Sequence, residues 1–554
     1  MQTNPWSPCL LLMVSSGLMA QTLPSAGGLL QQMPLLPAAP QRAPQLDLPT
    51  PKPVTGLLPP AMVFVAQRLN VTGASAYTEA ELVKVAGFEP GQALSLRALG
   101  EMADKITRHY RQQGYGVAQA YLPAQEVQNG AVTITVLEGQ YGQITLNNSS
   151  DLDDQLPRSL LADLNYGDVI MAQPLEERLL LLSDVPGVQV RSTLMPGASR
   201  GLSDLVVELK PGPLLSGSLD ADNAGNRYTG EYRAGATVHL NNPSGRGDLL
   251  TLRGLSSGEG LNYLRAAYQA PLGRARLGLA YSDLSYQLGH EFEPLQAQGH
   301  ARITTLFANY PLRRSRQSNM NVGLSWDHKV FQDRLEAMAL VTDKQTQVAT
   351  VSLSGDHRDG LGAGGLSTYS LAWSTGHVDI QTPAARALDA STANTNGHFN
   401  KLAFAVSRMQ QVRQGLTVWT SLSGQMASQN LDVSEKMALG GMYGVRAYPE
   451  GEAAADEGYL LTLEVRQQWL GLAPANGQVH LAAFVDAGVV KLNHSPWTST
   501  PTHRHLSGAG VGVYWTQTRD FSVKAFYARK LGNADAVSAP DRSGRFWIQG
   551  VKYF

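Results

Sequence analysis

One arginine and one aspartate in this chain of 554 residues stand apart by their settings. Arg446 lies in Leu439-Gly-Gly-Met-Tyr-Gly-Val-Arg-Ala-Tyr-Pro-Glu-Gly-Glu452, a Gly-rich approach followed by a Pro-Glu-Gly-Glu turn. On the strand after the next comes Phe484-Val-Asp-Ala-Gly488. Strand alternation puts Phe484, Asp486 and Gly488 on one face. The other face, Leu481, Ala483, Val485, Ala487 and Val489, is wholly apolar and suits lipid. Asp486 then points into a lumen, where an inward-folded loop carrying Arg446 could meet it. A bidentate guanidinium–carboxylate contact fixes geometry and performs no bond chemistry. The same residues also fit an exposed loop arginine and a water-wetted carboxylate, because exposed pairs contribute little.

Other chemistry has weaker support. We find no Gly-rich phosphate loop with a following Lys-Ser/Thr, no Gly-x-Ser-x-Gly elbow and no His-Glu-x-x-His. His503-Arg-His505 offers too few ligands for a metal site. Asp151-Leu-Asp-Asp154 opens a helix, where capping and the helix dipole account for the acids better than calcium does. The single cysteine, Cys9, lies in a short apolar stretch. Cleavage of that stretch would remove disulfides, thiolate catalysis and Cys-based metal sites with it. No enzyme, cofactor or metal is expected. Lys plus Arg number 44 against 45 Asp plus Glu, which excludes a strongly basic nucleic-acid-binding chain.

The elements that must position Arg446 and Asp486 are strands. Charged residues are only 16% and Gly is 55 of 554, which suits strands facing two solvents. Residues 213–554 alternate along their length, with turns rich in Gly, Asn, Asp and Ser. In Gly458–Gln468, Tyr459, Leu461, Leu463 and Val465 share one face, while Thr462, Glu464 and Arg466 share the other. Phe521, Val523, Ala525 and Tyr527 likewise oppose Ser522 and Lys524. One apolar and one polar face per strand is the transmembrane-barrel pattern. Sixteen such segments centre near residues 219, 234, 252, 266, 280, 305, 324, 347, 370, 403, 421, 463, 484, 511, 525 and 549. The Arg446 run falls in the long connection between the eleventh and twelfth of these. A soluble β-sandwich or propeller is the other fold that such strands allow.

Upstream, residues 61–138 read as β-α-α-β-β. Thr78 and Glu81 form a capping box, and Leu99, Met102, Ile106 and Tyr110 recur at helical spacing. Residues 139–212 repeat the order, and a repeated module of this kind leaves strand edges where a partner's strand can pair. Residues 24–60 hold ten prolines and form a linker. Ala26-Gly-Gly-Leu-Leu-Gln-Gln-Met33 could make one or two helical turns. Residues 1–20 read as a signal peptide cut near Ala20.

Val445-Arg446-Ala447-Tyr448 on a long loop, with Phe484-x-Asp486-x-Gly488 on a later strand, resembles the outer-membrane transporters of two-partner secretion, the TpsB family of the POTRA-barrel superfamily. The resemblance covers nearly the whole chain. It implies a mainly β protein, a 16-stranded transmembrane antiparallel barrel at 213–554 preceded by two periplasmic α+β POTRA modules at 61–138 and 139–212. It further implies a plug helix and Pro-rich linker at 21–60 and an inward-folded loop at about 432–457. Arg446 and Asp486 would lock that loop, supported by Val445, Tyr448, Phe484 and Gly488. Phe554 would be the terminal aromatic read by the barrel-assembly machinery. The implied partners are a secreted TpsA-type exoprotein, bound as an extended segment by the POTRA modules, and outer-membrane lipid. The implied function is ATP-independent export of that exoprotein, with a barrel-assembly insertase of the same superfamily as the alternative. A passive porin with a periplasmic anchor is a third reading. Position 447 is Ala where the family commonly has Gly, which costs roughly 1 kcal/mol if the site needs positive φ and nothing if it does not. Lys552 stands where the family's second C-terminal aromatic is usual.

Overall fold

A computed structural model describes residues 23–33, 45–47, 63–258, 260–469, 471, 477–499 and 501–554. The expected signal peptide, residues 1–20, lies outside them.

The first module contains β2 (Val63–Ala66), β3 (Arg68–Thr72), α2 (Glu79–Ala86), β4 (Gln92–Ser95), α3 (Leu96–Gln112), β5 (Gln119–Tyr121) and β6 (Ala131–Leu137). The label β1 belongs to an upstream segment, Gln45–Asp47. The capping box forms at Thr78 and Glu81, and Gly87 ends α2 in the left-handed conformation at φ 74°. Ser95 caps α3, whose buried stripe is Leu99, Met102, Ala103, Ile106 and Tyr110. Two details depart from expectation. Val63–Val71 is two strands broken at Gln67, because the amides of Gln67 and Arg68 both donate to the Gly130 carbonyl. In addition, β4 intervenes between the helices and pairs with β2. Buried Glu138 joins the module's turns, accepting from the Ser75 amide at 2.7 Å, the Ala76 amide at 2.8 Å and the Tyr110 hydroxyl at 2.9 Å. Burial alone would push this carboxyl up, but these bonds hold it below the ordinary value.

The second module repeats the order with β7 (Gln140–Asn148), α4 (Gln155–Leu161), α5 (Ala172–Ser183), β8 (Val188–Pro196) and β9 (Leu202–Pro211). At the start of α4 the expected capping is only partial, because Asp154 at the N-cap position makes no side-chain bond to the helix amides. Asp153 accepts from the Gln155 amide at 2.7 Å, and Asp154 pairs with Arg158. The sheet order is β1-β8-β9-β7. Its edge strand, β1, comes from the Pro-rich segment and runs parallel to β8, with Gln45 opposite Arg191 and Asp47 opposite Thr193.

Sixteen strands, from β10 (Leu215–Asp222) to β25 (Gly544–Tyr553), pair antiparallel in sequence order, and β10 pairs with β25 to close the barrel. Each expected strand centre falls within its own strand. At the seam only Ser218–Asp222 and Gln549–Tyr553 are in register, extended by Gly217 bonding both ways to the Phe554 backbone. The outer wall carries exposed Leu, Val, Tyr and Trp side chains, among them Leu264, Trp326, Trp373, Leu463 and Val511. The second module seats on the turns at one rim. Asp184 accepts two bonds from Arg314 at 2.7 and 2.8 Å, Glu176 pairs with Arg316 at 3.0 Å, and Glu177 pairs with Arg274.

Candidate functional site

The connection 428–456, between β20 (Leu416–Ala427) and β21 (Glu457–Gln468), folds into the barrel. Its limbs pair with each other. Met437 and Ala455 form a bridge, and the Leu439 amide donates to the Glu452 carbonyl at 3.0 Å. The glycines permit the tight tip, since a Cβ on Gly444 would lie 2.2 Å from the Leu439 carbonyl oxygen.

Arg446 projects from this tip onto β22 (Gln478–Lys491). Its Nε donates to Asp486 Oδ2 and its Nη2 to Asp486 Oδ1, both at 2.9 Å. The Arg446 backbone amide adds a third bond to Oδ2 at 3.2 Å. Asp486 is completely buried, and Arg446 is 5% exposed. The guanidinium carbon stands 3.3 Å from the Phe484 ring centroid and 5.0 Å from that of Phe526. A desolvated cation between aromatic faces and a two-toothed acceptor has one geometry available to it.

Val445 and Tyr448 are buried, and the Tyr448 hydroxyl donates to the Ala534 carbonyl at 3.0 Å. Gly488 faces Leu439 so closely that a Cβ there would come within 2.3 Å of Leu439 Cδ1. Ala447 is not among the residues with positive φ, so Ala at this position carries no backbone strain. Its Cβ packs against Gly508. Phe554 is half exposed, with its ring over Gly217.

Expectation missed a second carboxylate. Buried Glu464 on β21 accepts from Arg446 Nη1 at 2.7 Å, from Arg466 Nε at 2.6 Å and from the Tyr514 hydroxyl at 2.6 Å. Thr462 donates to Asp486 at 3.0 Å, and Trp547 Nε1 donates to the Arg446 carbonyl at 2.7 Å. Thr462, Glu464 and Arg466 had all been placed on the lumen face by alternation. The missing step was register, which sets Thr462 opposite Asp486. Among the described residues no group of three or more possible metal ligands forms at His503 and His505, and Arg504 between them pairs with Glu452.

The base of the loop makes a second set of contacts. Its turn Val433–Glu435 is a single 3-10 turn. Asp432 accepts from Lys344 Nζ at 2.7 Å. Glu435 takes Lys329 at 2.7 Å and Lys401 at 2.8 Å. Against this turn lies α1 (Ala26–Gln31). Gln31 donates to the Ser434 carbonyl, and the Ala26 amide donates to Asp333 at 2.8 Å. Leu29 is buried among Tyr228, Leu284, Tyr286 and Phe331. The helix therefore sits inside the barrel, flanked by a cavity of about 320 Å³ lined in part by Gly28, Gln32, Lys436 and Arg504.

A closed barrel holding its own loop and an N-terminal helix, preceded by two α+β modules, is the architecture of an outer-membrane transporter with periplasmic modules. The chain belongs to the family of haemolysin secretion/activation proteins ShlB/FhaC/HecB, whose model matches residues 201–515. The ShlB-type POTRA domain matches residues 64–139. The Heme/hemopexin transporter protein HuxB of Haemophilus influenzae is 29% identical over 86% of this chain and 84% of its own length. The structure of CdiB from Escherichia coli is similar at a TM-score of 0.68 with 22% identity, covering 91% of this chain and 93% of that one. BamA from Haemophilus ducreyi, lacking POTRA domains 1–3, shares the fold at a TM-score of 0.53 and 13% identity, over 89% of this chain and 100% of that one. The protein is an outer-membrane transporter that exports a partner exoprotein by two-partner secretion. The insertase reading has only the distant BamA fold in its favour.

Proposed function

We propose that the exoprotein enters as an extended segment and pairs with the edge of β8, in what is then the second POTRA module, before threading the lumen. One observation carries this reading: the chain's own N-terminal segment occupies both places the cargo needs, with β1 on the β8 edge and α1 in the barrel. Strand addition to an exposed edge supplies main-chain hydrogen bonds without demanding a particular sequence, which suits an unfolded cargo. Displacing β1 would pull on α1, because residues 32–44 join them. Arg446 with Asp486 and Glu464 would hold the loop as a fixed constriction and take part in no bond chemistry. Folding of the exoprotein outside would supply direction. Phe554 would serve barrel assembly, and the exposed apolar girdle would meet outer-membrane lipid.

The partner is identified by comparing culture media with and without the transporter by mass spectrometry. Gln45→Cys with Arg191→Cys then tests the route, since these positions are in register. In the oxidising periplasm the disulfide should fix β1 on β8 and stop export, while reductant restores it and each single variant exports normally. Native-level export by the oxidised double variant would exclude entry at this edge.

A further inference from the structure

The plug reading leaves open what keeps α1 in the barrel. Its helix is six residues long and too short to be stable alone. Its glycines give the clue. A Cβ on Gly27 would lie 2.8 Å from Ser434 Cβ and 3.1 Å from the Ser434 amide nitrogen. A Cβ on Gly28 would lie 3.3 Å from Val433 Cγ2. The helix thus rests on the turn Val433–Glu435, with Gln31 bonded to the Ser434 carbonyl. That turn is itself held from the far side. Asp432 uses one oxygen to accept from the Ser434 amide at 3.0 Å and hydroxyl at 2.7 Å, and the other to accept from Lys344. Glu435 is 2% exposed and gathers Lys329 and Lys401, while Lys401 also donates to the Glu435 carbonyl at 3.1 Å. The three lysines come from β16 (Ser318–Leu335), β17 (Leu340–Asp359) and β19 (Gly397–Arg413). No hydrogen bond or ion pair joins any of them to α1 among the described residues.

We propose that Lys329, Lys344 and Lys401 are positioning residues for the plug: by clamping Asp432 and Glu435 they shape the Val433–Glu435 turn into the seat of α1, so that ion pairs the plug never touches decide whether the resting pore is closed. This rests on the reading of α1 as the plug. Truncating Lys344 leaves buried Asp432 without its cation, and the turn must rearrange to hydrate it. The seat then loses the flat approach that Gly27 requires, and α1 loses more contacts than any single bond of its own provides. The Arg446 contact lies elsewhere in the loop and shares no partner with these lysines.

The test is the resting conductance of the full chain in planar bilayers, with deletion of residues 24–33 as the reference for an empty lumen. Lys344→Met should raise the open fraction about tenfold towards that reference. Lys344→Arg, which keeps the charge, should stay closed. Lys344→Asp combined with Asp432→Lys should restore closure. Should Lys344→Met fail to fold, Asp432→Asn removes the same ion pair at nearly unchanged side-chain volume and is expected to open the pore equally. Folding is checked by heat-modifiable gel mobility. If the deletion opens the pore while the folded lysine and aspartate variants remain closed, the lysine clamp is wrong and the plug survives. If the deletion changes nothing, the plug reading falls and takes the clamp with it.

Discussion

Arg446 and Lys344 both tie the inward loop to the barrel wall, but by different means. At the tip, one planar cation serves two buried carboxylates, stacks on Phe484 and is bonded through its own carbonyl by Trp547. At the base, three lysines act as point charges on two acids beside the turn on which α1 rests. Arginine's fork loses little freedom per bond formed, whereas a lysine ammonium accepts many arrangements. The tip is therefore suited to permanence and the base to release. On the reading proposed above, a single loop would be a fixed wall at one end and the bed of a removable gate at the other.

The comparison breaks most severely at the tip. Arg446→Ala leaves buried Asp486 without a cation and takes from Glu464 one of its two arginines, Arg466 remaining. A loss of about 3–5 kcal/mol is expected for a buried pair cut on one side. Export should fall below detection, and external protease should cut the loop near Tyr448 in intact cells. A loop that stays resistant in the folded variant would show that Glu452, Lys436 and the base suffice to hold it.

Gly27→Val strikes the base without touching any charge. The new side chain meets Ser434 Cβ and its backbone, neither of which can rotate away. Overpacking of this kind costs about 1–3 kcal/mol, enough to unseat a six-residue helix. The resting pore should conduct while the loop tip remains protease-resistant, and export should persist. Loss of tip protection would mean that the two ends are one cooperative unit, which would erase the distinction drawn above.

The two ends also differed in how far the sequence foretold them. Period-two alternation located every barrel strand because each must show lipid one face and the lumen another, a constraint that repeats along the whole wall. Alternation also turned Asp486 and Glu464 inward. The residues left the Arg446–Asp486 contact as one of two open readings, which the resemblance then favoured, and joining Glu464 to them needed register, which alternation does not supply. The base was hidden for a plainer reason. Lys329, Lys344 and Lys401 stand on three strands, and each taken alone looks like an ordinary lumen lysine. The strand β1 was hidden too: three residues inside a proline-rich run carry no periodicity. In the first module, β4 escaped because Gln92–Ser95 is too short to alternate and its partner β2 exposes Val63 and Val65.

The smallest effect concerns position 447, which is Ala where the resemblance leads one to expect Gly. If the tip had been built for a positive φ, Ala447→Gly would relieve strain and stabilise. The backbone at 447 has no such conformation, so glycine gains nothing there and adds freedom to the unfolded chain. It also removes the methyl that fills the space over Gly508, where a Cβ would approach Ala447 Cβ to 2.6 Å. The pairing is complementary: one methyl on the loop and no side chain at Gly508 on the wall let the tip sit flush against β23 (His503–Gln517). Ala447→Gly should therefore export normally but lose about 0.5–1 kcal/mol, read as a lower temperature for loss of the folded band on unheated gels. A rise in that temperature would show strain at 447. It would also move the tip's permanence from the Arg446 contacts to the backbone around them.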